Sequence, residues 1–327
     1  MALNTWLQFD PAQAVKSISE KMREAVFSVL NRKGCVVAVS GGIDSSVCAA
    51  LTVEALGKAR VFALLLPEKD SSSASRSLGE ELCLHLGVAF EVKDIAPTLD
   101  AIGCYQWRDD AIRSIFPEYR DDWKNKIVIS PNLLDSDRYN FFKIVVESPE
   151  GNRMEKRLPA SDYLQIVAAT NFKQRIRKTL EYFHADRLNY AVVGTPNRLE
   201  YDQGFFVKNG DGSADVKPIA HLYKSQVYEL GRHLGLPDSI CNAKPTTDTY
   251  SLAQGQDEFY FVLPYDKMDV ILCGLNNGKT AEEIAPEVGL KGEQIQRVFR
   301  DIQVKRITTK PLHMKPILME RMKELNV

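Results

Sequence analysis

Cys35-Val36-Val37-Ala38-Val39-Ser40-Gly41-Gly42-Ile43-Asp44-Ser45-Ser46 decides the reading of this chain. Its opening apolar run fits a buried parallel strand, covered on both faces. The run ends in Ser40-Gly41-Gly42, and a helical pattern follows from Asp44 to about Leu56. A strand that breaks on two glycines into a helix gathers backbone N–H groups, hydroxyls and the positive end of a helix dipole at one point. Such a point binds anions. Two glycines alone would describe any strand–helix turn with a capping residue; the full Ser-Gly-Gly-x-Asp-Ser pattern is more specific. It lacks the lysine of the GxxxxGK(S/T) loop and has Asp44 among the donors instead. A carboxylate beside a phosphate is repulsive unless a cation lies between them, so Asp44 points to Mg2+.

Outward from this loop, Val15, Ile18, Met22, Val26, Phe27 and Leu30 recur at helical spacing over 11–31. Val61–Leu66 reads as a second buried strand stopped by Pro67, 71–86 as a helix, and Ala89–Ile95 as a third strand. Strands alternating with helices imply right-handed crossovers. The expected class is α/β: an open, doubly wound parallel sheet with helices on both faces. Regular order loosens over 97–160, where Lys126–Ser130, Phe142–Glu147 and Met154–Leu158 look like strands and Pro149-Glu150-Gly151-Asn152 like a turn. This segment is read as an insertion carrying a β-hairpin. A helix over about 161–185, a strand at Tyr190–Val193 and a helix over 222–234 restore the pattern, and 255–327 reads as a helical C-terminal extension of a single domain spanning 1–327.

Composition narrows the function classes. The chain has 327 residues, 44% hydrophobic and 26% charged, which is ordinary for a globular protein that buries its own core. Lys plus Arg number 42 against 43 Asp plus Glu, so no global charge draws it to nucleic acid or to a membrane. The six cysteines form no CxxC pair, which argues against zinc and a disulfide framework. Neither a signal peptide nor an apolar run of about 18 residues is visible, and a cytoplasmic location is expected.

The second half carries more chemistry. Asn171, Arg175 and Lys178 share a helical face in the basic stretch Asn171–Lys178, which by itself would suit a solvated surface. Gly194-Thr195-Pro196-Asn197-Arg198-Leu199-Glu200 follows a buried strand, at the strand end where open α/β sheets place ligands. Glu200 there is either a helix-start acid or a partner of Asp44 for a cation. Gly204-Phe205-Phe206-Val207-Lys208-Asn209-Gly210-Asp211-Gly212-Ser213-Ala214-Asp215 holds hairpin-turn signals, and Tyr223-Lys224-Ser225-Gln226-Val227 puts a lysine at a helix start.

The loop at 36–46 resembles the pyrophosphate loop of the N-type ATP pyrophosphatases, whose fold is adenine-nucleotide α-hydrolase-like. These enzymes split ATP between its α and β phosphates, adenylate an oxygen and release pyrophosphate. The segments over 171–230 follow, in order and spacing, the NAD synthetase pattern N-x-x-x-R-x-R, GT-x-N-x-x-E, G-F/Y-F-x-K-x-GDG-x-x-D and L-x-K-x-Q-V. The GDG block is the most family-specific part. The resemblance implies an ammonia-dependent NAD synthetase, a ligase that adenylates the nicotinate carboxylate of deamido-NAD. By the same resemblance, Ser40, Gly42, Asp44, Ser45 and Ser46 hold the ATP phosphates, with Asp44 and Glu200 on Mg2+. Leu66 lies beside adenine, Arg175 and Thr195 meet the nucleotide, and Lys224 and Thr246 touch phosphates. Asn171, Phe205, Lys208, Asp211 and Asp215 face deamido-NAD, and the protein is a homodimer.

Three departures from the family pattern stand out. The stretch 97–165 is long, Lys244–Tyr250 replaces a small-residue run with polar chemistry, and Val304-Lys305-Arg306 keeps only part of a His-Lys-Arg element. They leave open another amide-forming ATP pyrophosphatase with a different carboxylate, or a nucleotide sensor without turnover. A tRNA thiolase would want a basic surface and paired cysteines. Cys35 opens the first strand, Cys48 lies in the loop helix, and position 2 is Ala2, so no glutaminase nucleophile is expected in this chain. A separate glutaminase partner remains open.

Overall fold

The computed structural model describes residues 3–129, 141–243, 249–261, 263–320 and 322. Four parallel strands make the central sheet: β1 (Cys35–Ala38), β2 (Val61–Leu65), β3 (Ala89–Val92) and β7 (Ala191–Val193), in the order β3-β2-β1-β7. Cys35 lies opposite both Val61 and Ala191, so β1 is the central register strand. Side chains along a strand alternate between faces. Cys35, Val37, Val61, Ala63 and Leu65 enter one core, with α1 (Pro11–Arg23), α2 (Ile43–Leu56), α3 (Ser73–Leu86) and α8 (Lys224–His233). Val36, Leu64 and Val192 enter the other, with α4 (Ala96–Ala101), α5 (Cys104–Arg113) and α6 (Ala160–Leu188). The doubly wound expectation is met.

The chain leaves β1 toward β2 and β3 on one side and returns to β7 on the other. Loops after β1 and β7 therefore diverge from neighbouring strands, which opens a crevice at their carboxyl ends. The short α7 (Arg198–Gln203) starts there, and Val216 forms a parallel bridge to Val193 before the chain enters α8.

Two elements differ from the sequence reading. The expected helix over 11–31 is regular only to Arg23, and Glu24–Val29 is a wider π turn in which Leu30 N–H donates to Ala25 O at 2.8 Å. The inserted hairpin is part of a three-stranded antiparallel sheet. β5 (Phe142–Glu147) pairs with β6 (Arg153–Arg157) as expected, and β4 (Lys124–Ile129) pairs on its other edge. Ile127, Ile144 and Val146 bury this sheet against Phe116, Tyr119 and Ile166. The C-terminal part is helical: α9 (Asp238–Cys241), α10 (Gln256–Phe259), α11 (Tyr265–Asn276), α12 (Ala281–Val288), α13 (Gly292–Thr308) and α14 (Lys310–His313). Helices α11 to α13 share a core with Leu7 and Leu199. Among the described residues no helix is long and apolar enough to cross a membrane.

The loop after β1 is held tightly. Gly41 has φ +80°, and a Cβ there would collide with the Ser75 carbonyl oxygen in α3. Gly41→Ala should therefore cost at least about 1–2 kcal/mol from the left-handed backbone alone, before the collision is counted. The check is a lower urea midpoint at unchanged m-value.

Candidate active site

The loop Ser40–Ser45 ties itself down through its own hydroxyls. Ser45 Oγ accepts from Ser40 N–H at 3.2 Å and donates to Gly42 O at 3.0 Å, while Ser46 Oγ donates to the same carbonyl at 2.8 Å. Gly42 is the N-cap of α2 and has no side chain to offer. The first N–H groups of that helix, which have no intrahelical acceptor, are left for a ligand.

Three helix N-termini meet at this point. Asp44 is in the first turn of α2, Asn197 caps α7, and Lys224 is the first residue of α8. Lys224 Nζ donates to Asp44 Oδ2, and Asn197 Nδ2 donates to Asp44 Oδ1 at 3.1 Å. Asn197 and Glu200 form a reciprocal cap: Glu200 N–H to Asn197 Oδ1 at 3.2 Å, Asn197 N–H to Glu200 Oε2 at 3.1 Å. Lys224 is 3% exposed. Burial alone would lower its pKa, but the charges of Asp44 and then Glu200 more than offset this and raise it. The ammonium is thus locked in its charged form beside two carboxylates.

From this cluster a cavity of about 680 Å³ runs along the sheet end and under α6. It brings together most of the residues singled out in the sequence. Ser40, Gly42, Asp44, Ser45, Glu200 and Lys224 line one part, and Leu66, Asn171, Arg175, Thr195, Phe205, Lys208 and Asp211 line the rest. Lys208 Nζ donates to Pro311 O at 2.9 Å, which brings the chain after α13 against the glycine-rich segment. Asp211 accepts from Val207 N–H at 2.8 Å; burial raises its pKa against that bond. Two of the residues are not brought to the cavity. Ser46 is fully buried with its hydroxyl turned to Gly42 O. Asp215 is exposed at the sheet edge, accepting from Val192 N–H at 2.7 Å and Tyr182 OH at 3.4 Å. Thr246 lies outside the described residues.

The structure adds groups that sequence reasoning missed. Lys173, 2% exposed, reaches Asp70 at 2.6 Å, Glu68 at 3.0 Å and the Thr249 carbonyl at 2.8 Å. Arg108 holds Asp70 at 2.6 Å and Asp109 at 2.7 Å. Arg177 Nε donates to Leu66 O at 3.1 Å; Lys178, already read on the basic face, pairs with Glu181 at 2.7 Å in a buried part of the lining. Their signal was the i, i+4 spacing of 173, 177 and 181, which faces the sheet beside the face of 171, 175 and 178. Asp269 was missed as well, though one acid inside Met268–Cys273 is a visible anomaly. It comes from α11 and accepts from Ser225 N–H and Oγ, both at 2.6 Å, and from Lys224 N–H at 3.2 Å. Burial pushes its carboxyl up to about 7, with the three donors pulling the other way.

Asp269 thus supplies the cap that α8 lacks and fixes the backbone from which Lys224 extends. Asp269→Ala should cost about 1–2 kcal/mol, on the scale of helix-cap losses. It should also lower turnover by roughly ten- to a hundredfold through misplacement of Lys224. Urea melts and steady-state rates check both; a variant destabilised but fully active would remove Asp269 from the site's support.

Comparison with known proteins agrees with this geometry. The family model described as NAD synthase matches residues 13–115 and 134–310. The chain is 55% identical over 319 residues to the NH3-dependent NAD+ synthetase of Rhizobium meliloti, spanning 98% of this chain and 95% of that protein. It is 52% identical over 314 residues to the protein of the same name from Rhizobium rhizogenes, spanning 96% and 94%. Two solved structures share the fold. NMN synthetase from Francisella tularensis has a TM-score of 0.65 at 21% identity, covering 95% of this chain and 99% of that one. The NH3-dependent NAD synthetase of Campylobacter jejuni has 0.62 at 22% identity, covering 96% and 100%. With its phosphate loop, its acid pair and its buried lysine on this scaffold, the chain belongs to the NAD synthase family.

Proposed function

We propose that the protein is an ammonia-dependent NAD synthetase: it adenylates the nicotinate carboxylate of deamido-NAD with ATP, then displaces AMP with ammonia to give NAD and pyrophosphate. The observation that carries this reading is Lys224, charged and buried between Asp44 and Glu200, where the N-termini of α2, α7 and α8 meet. Aligned helix ends attract anions, and a fixed ammonium stabilises charge that grows on a leaving pyrophosphate. The N–H groups and hydroxyls of Ser40–Ser45 bind and orient the β and γ phosphates. Leu66, held by Arg177 through its carbonyl, lines the adenine end.

Asp44 and Glu200 offer oxygen donors only, and a cation held by two carboxylates plus substrate phosphates suits Mg2+. The residues fit that ion; bound there, it neutralises phosphate charge and polarises the phosphorus–oxygen bonds. This chemistry calls for no covalent nucleophile from the protein. All six cysteines are buried, and burial pushes the thiols of Cys35 and Cys104 up to about 12 and about 11. Ammonia taken directly, or handed over by a separate glutaminase, fits thiols of that kind. The homodimer that the family resemblance implies belongs to the same proposal, and light scattering checks it. A different carboxylate substrate is the second reading, favoured by the polar run Lys244–Tyr250.

Mass spectrometry of products from ATP, Mg2+, ammonium and a panel of carboxylates tests the proposal. NAD, AMP and pyrophosphate are expected from deamido-NAD, and a preference for another acid would replace it. Asp44→Asn should lower pyrophosphate release by at least about 10²-fold with the fold intact; near-normal turnover would sink the loop assignment. Ammonium should serve as nitrogen donor and glutamine should not. Turnover on glutamine alone, blocked by a thiol alkylator, would overturn that expectation.

A further inference from the structure

No described residue of the antiparallel sheet lines the cavity, yet the sheet is tied to the chain that does. Asn125 in β4 pairs by its backbone with the chain between α9 and α10: its N–H donates to Ser251 Oγ at 2.8 Å, and its carbonyl accepts from Leu252 N–H at 3.1 Å. Lys126 Nζ reaches the Ala253 carbonyl at 3.2 Å and pairs with Glu258. Gln254, 2% exposed, donates its side-chain amide to the Ile127 carbonyl. Three successive residues of β4 thus grip one stretch of chain.

That stretch is a wall of the cavity. Thr249, Tyr250, Phe259 and Tyr260 line it. The Phe259 ring lies 5.7 Å from Tyr250 and 6.0 Å from Phe205, and Tyr260 stacks on Phe205 at 4.5 Å. Tyr260 OH also donates to the Gln203 carbonyl at 2.6 Å, which joins the wall to α7 at the end opposite Glu200. From β5, Phe142 stacks at 4.3 Å on Tyr163, another lining residue. Such a concentration of rings suits a planar aromatic group, not a triphosphate.

We propose that the antiparallel sheet is the specificity element of the site: through Asn125, Lys126 and Ile127 it clamps 249–260 as the wall that seats the aromatic ring bearing the carboxylate to be activated. This rests on the functional reading above. On that reading ATP is held mainly by the β1 loop, α7 and α8, outside 249–260, so loosening the clamp separates the two substrates. The ion pair Lys126–Glu258 sits at the rim, with Lys126 15% and Glu258 45% exposed, and can be altered without opening the core.

Steady-state kinetics of the full chain test this with Lys126→Met, Gln254→Leu and the swap Lys126→Glu with Glu258→Lys. Lys126→Met and Gln254→Leu should each raise KM for deamido-NAD by about five- to tenfold. KM for ATP and kcat should change by less than about twofold, since lost ground-state contacts act on KM. The swap should recover at least half of the Lys126→Met effect on a logarithmic scale. If Gln254→Leu fails to fold, Lys126→Met and the swap carry the test. An unchanged KM for deamido-NAD, an equal rise for ATP, or a swap no better than Lys126→Met would overturn the clamp while leaving the functional reading standing. Wild-type enzyme that does not turn over deamido-NAD defeats that reading, and the clamp proposal with it.

Discussion

Lys224 cannot be buried alone. Removing an ammonium from water costs several kcal/mol unless close counter-charges and good geometry repay it. Here Asp44 and Glu200 repay it, and each comes from a different helix start. The constraint is therefore architectural. α2, α7 and α8 are fixed with their N-termini together because the ion pair and the Asn197–Asp44 bond require it. The strand order makes that possible, since β1 and β7 are neighbours and the loops leaving them open the crevice. Asp269 extends the same logic one layer outward, anchoring α8 to the C-terminal helices.

Much of this was legible in the sequence because it rests on local rules. Apolar runs of Cys35–Val39 and Val61–Leu66 gave the buried strands, and the break at Gly41-Gly42 gave the loop. What escaped was set by tertiary partners. The π turn after Arg23 has no separate periodicity, because an extra residue in one turn shifts the apolar face only slightly. The pairing of β4 is invisible because an antiparallel sheet and a hairpin share the same two-residue alternation. Lys173, within a basic stretch, reads as a surface charge, and Arg108 carries no sequence signal; their burial depends on Asp70, joined at Lys173 by Glu68, a hundred residues away in one case. Asp215 matched a motif position, yet its carboxylate serves the backbone of β7. A motif fixes a residue's place in the chain and not its neighbours.

Helix α6 joins the two ends of the cavity. Its first half carries Tyr163 and Asn171, and its second half carries Arg175, Arg177 and Lys178. Between them Lys173 ties the loop of Glu68 and Asp70 to the carbonyl of Thr249. One buried side chain thus bridges the loop after β2 and the aromatic wall. A buried pair with both partners present contributes little net stability, but losing one partner is costly, so the arrangement specifies geometry more than it adds to stability.

The same distinction bears on how the site works. In the protein as it stands Lys224 is satisfied by Asp44, a bond that a triphosphate bound as proposed above would have to share or replace. If a phosphate oxygen took the ammonium outright, Asp44 would keep Asn197 and face added negative charge. The repulsion would be unfavourable in so buried a place, where charges are weakly screened. On the reading proposed above, a divalent cation held by Asp44 and Glu200 would remove that repulsion and would leave Lys224 free for the phosphates. The ammonium holds Asp44 in the protein as it stands, and the same group would be available to phosphate if such a cation took the carboxylates. The lysine keeps its charge in the protein as it stands, because Asp44 and then Glu200 raise its pKa by more than burial lowers it.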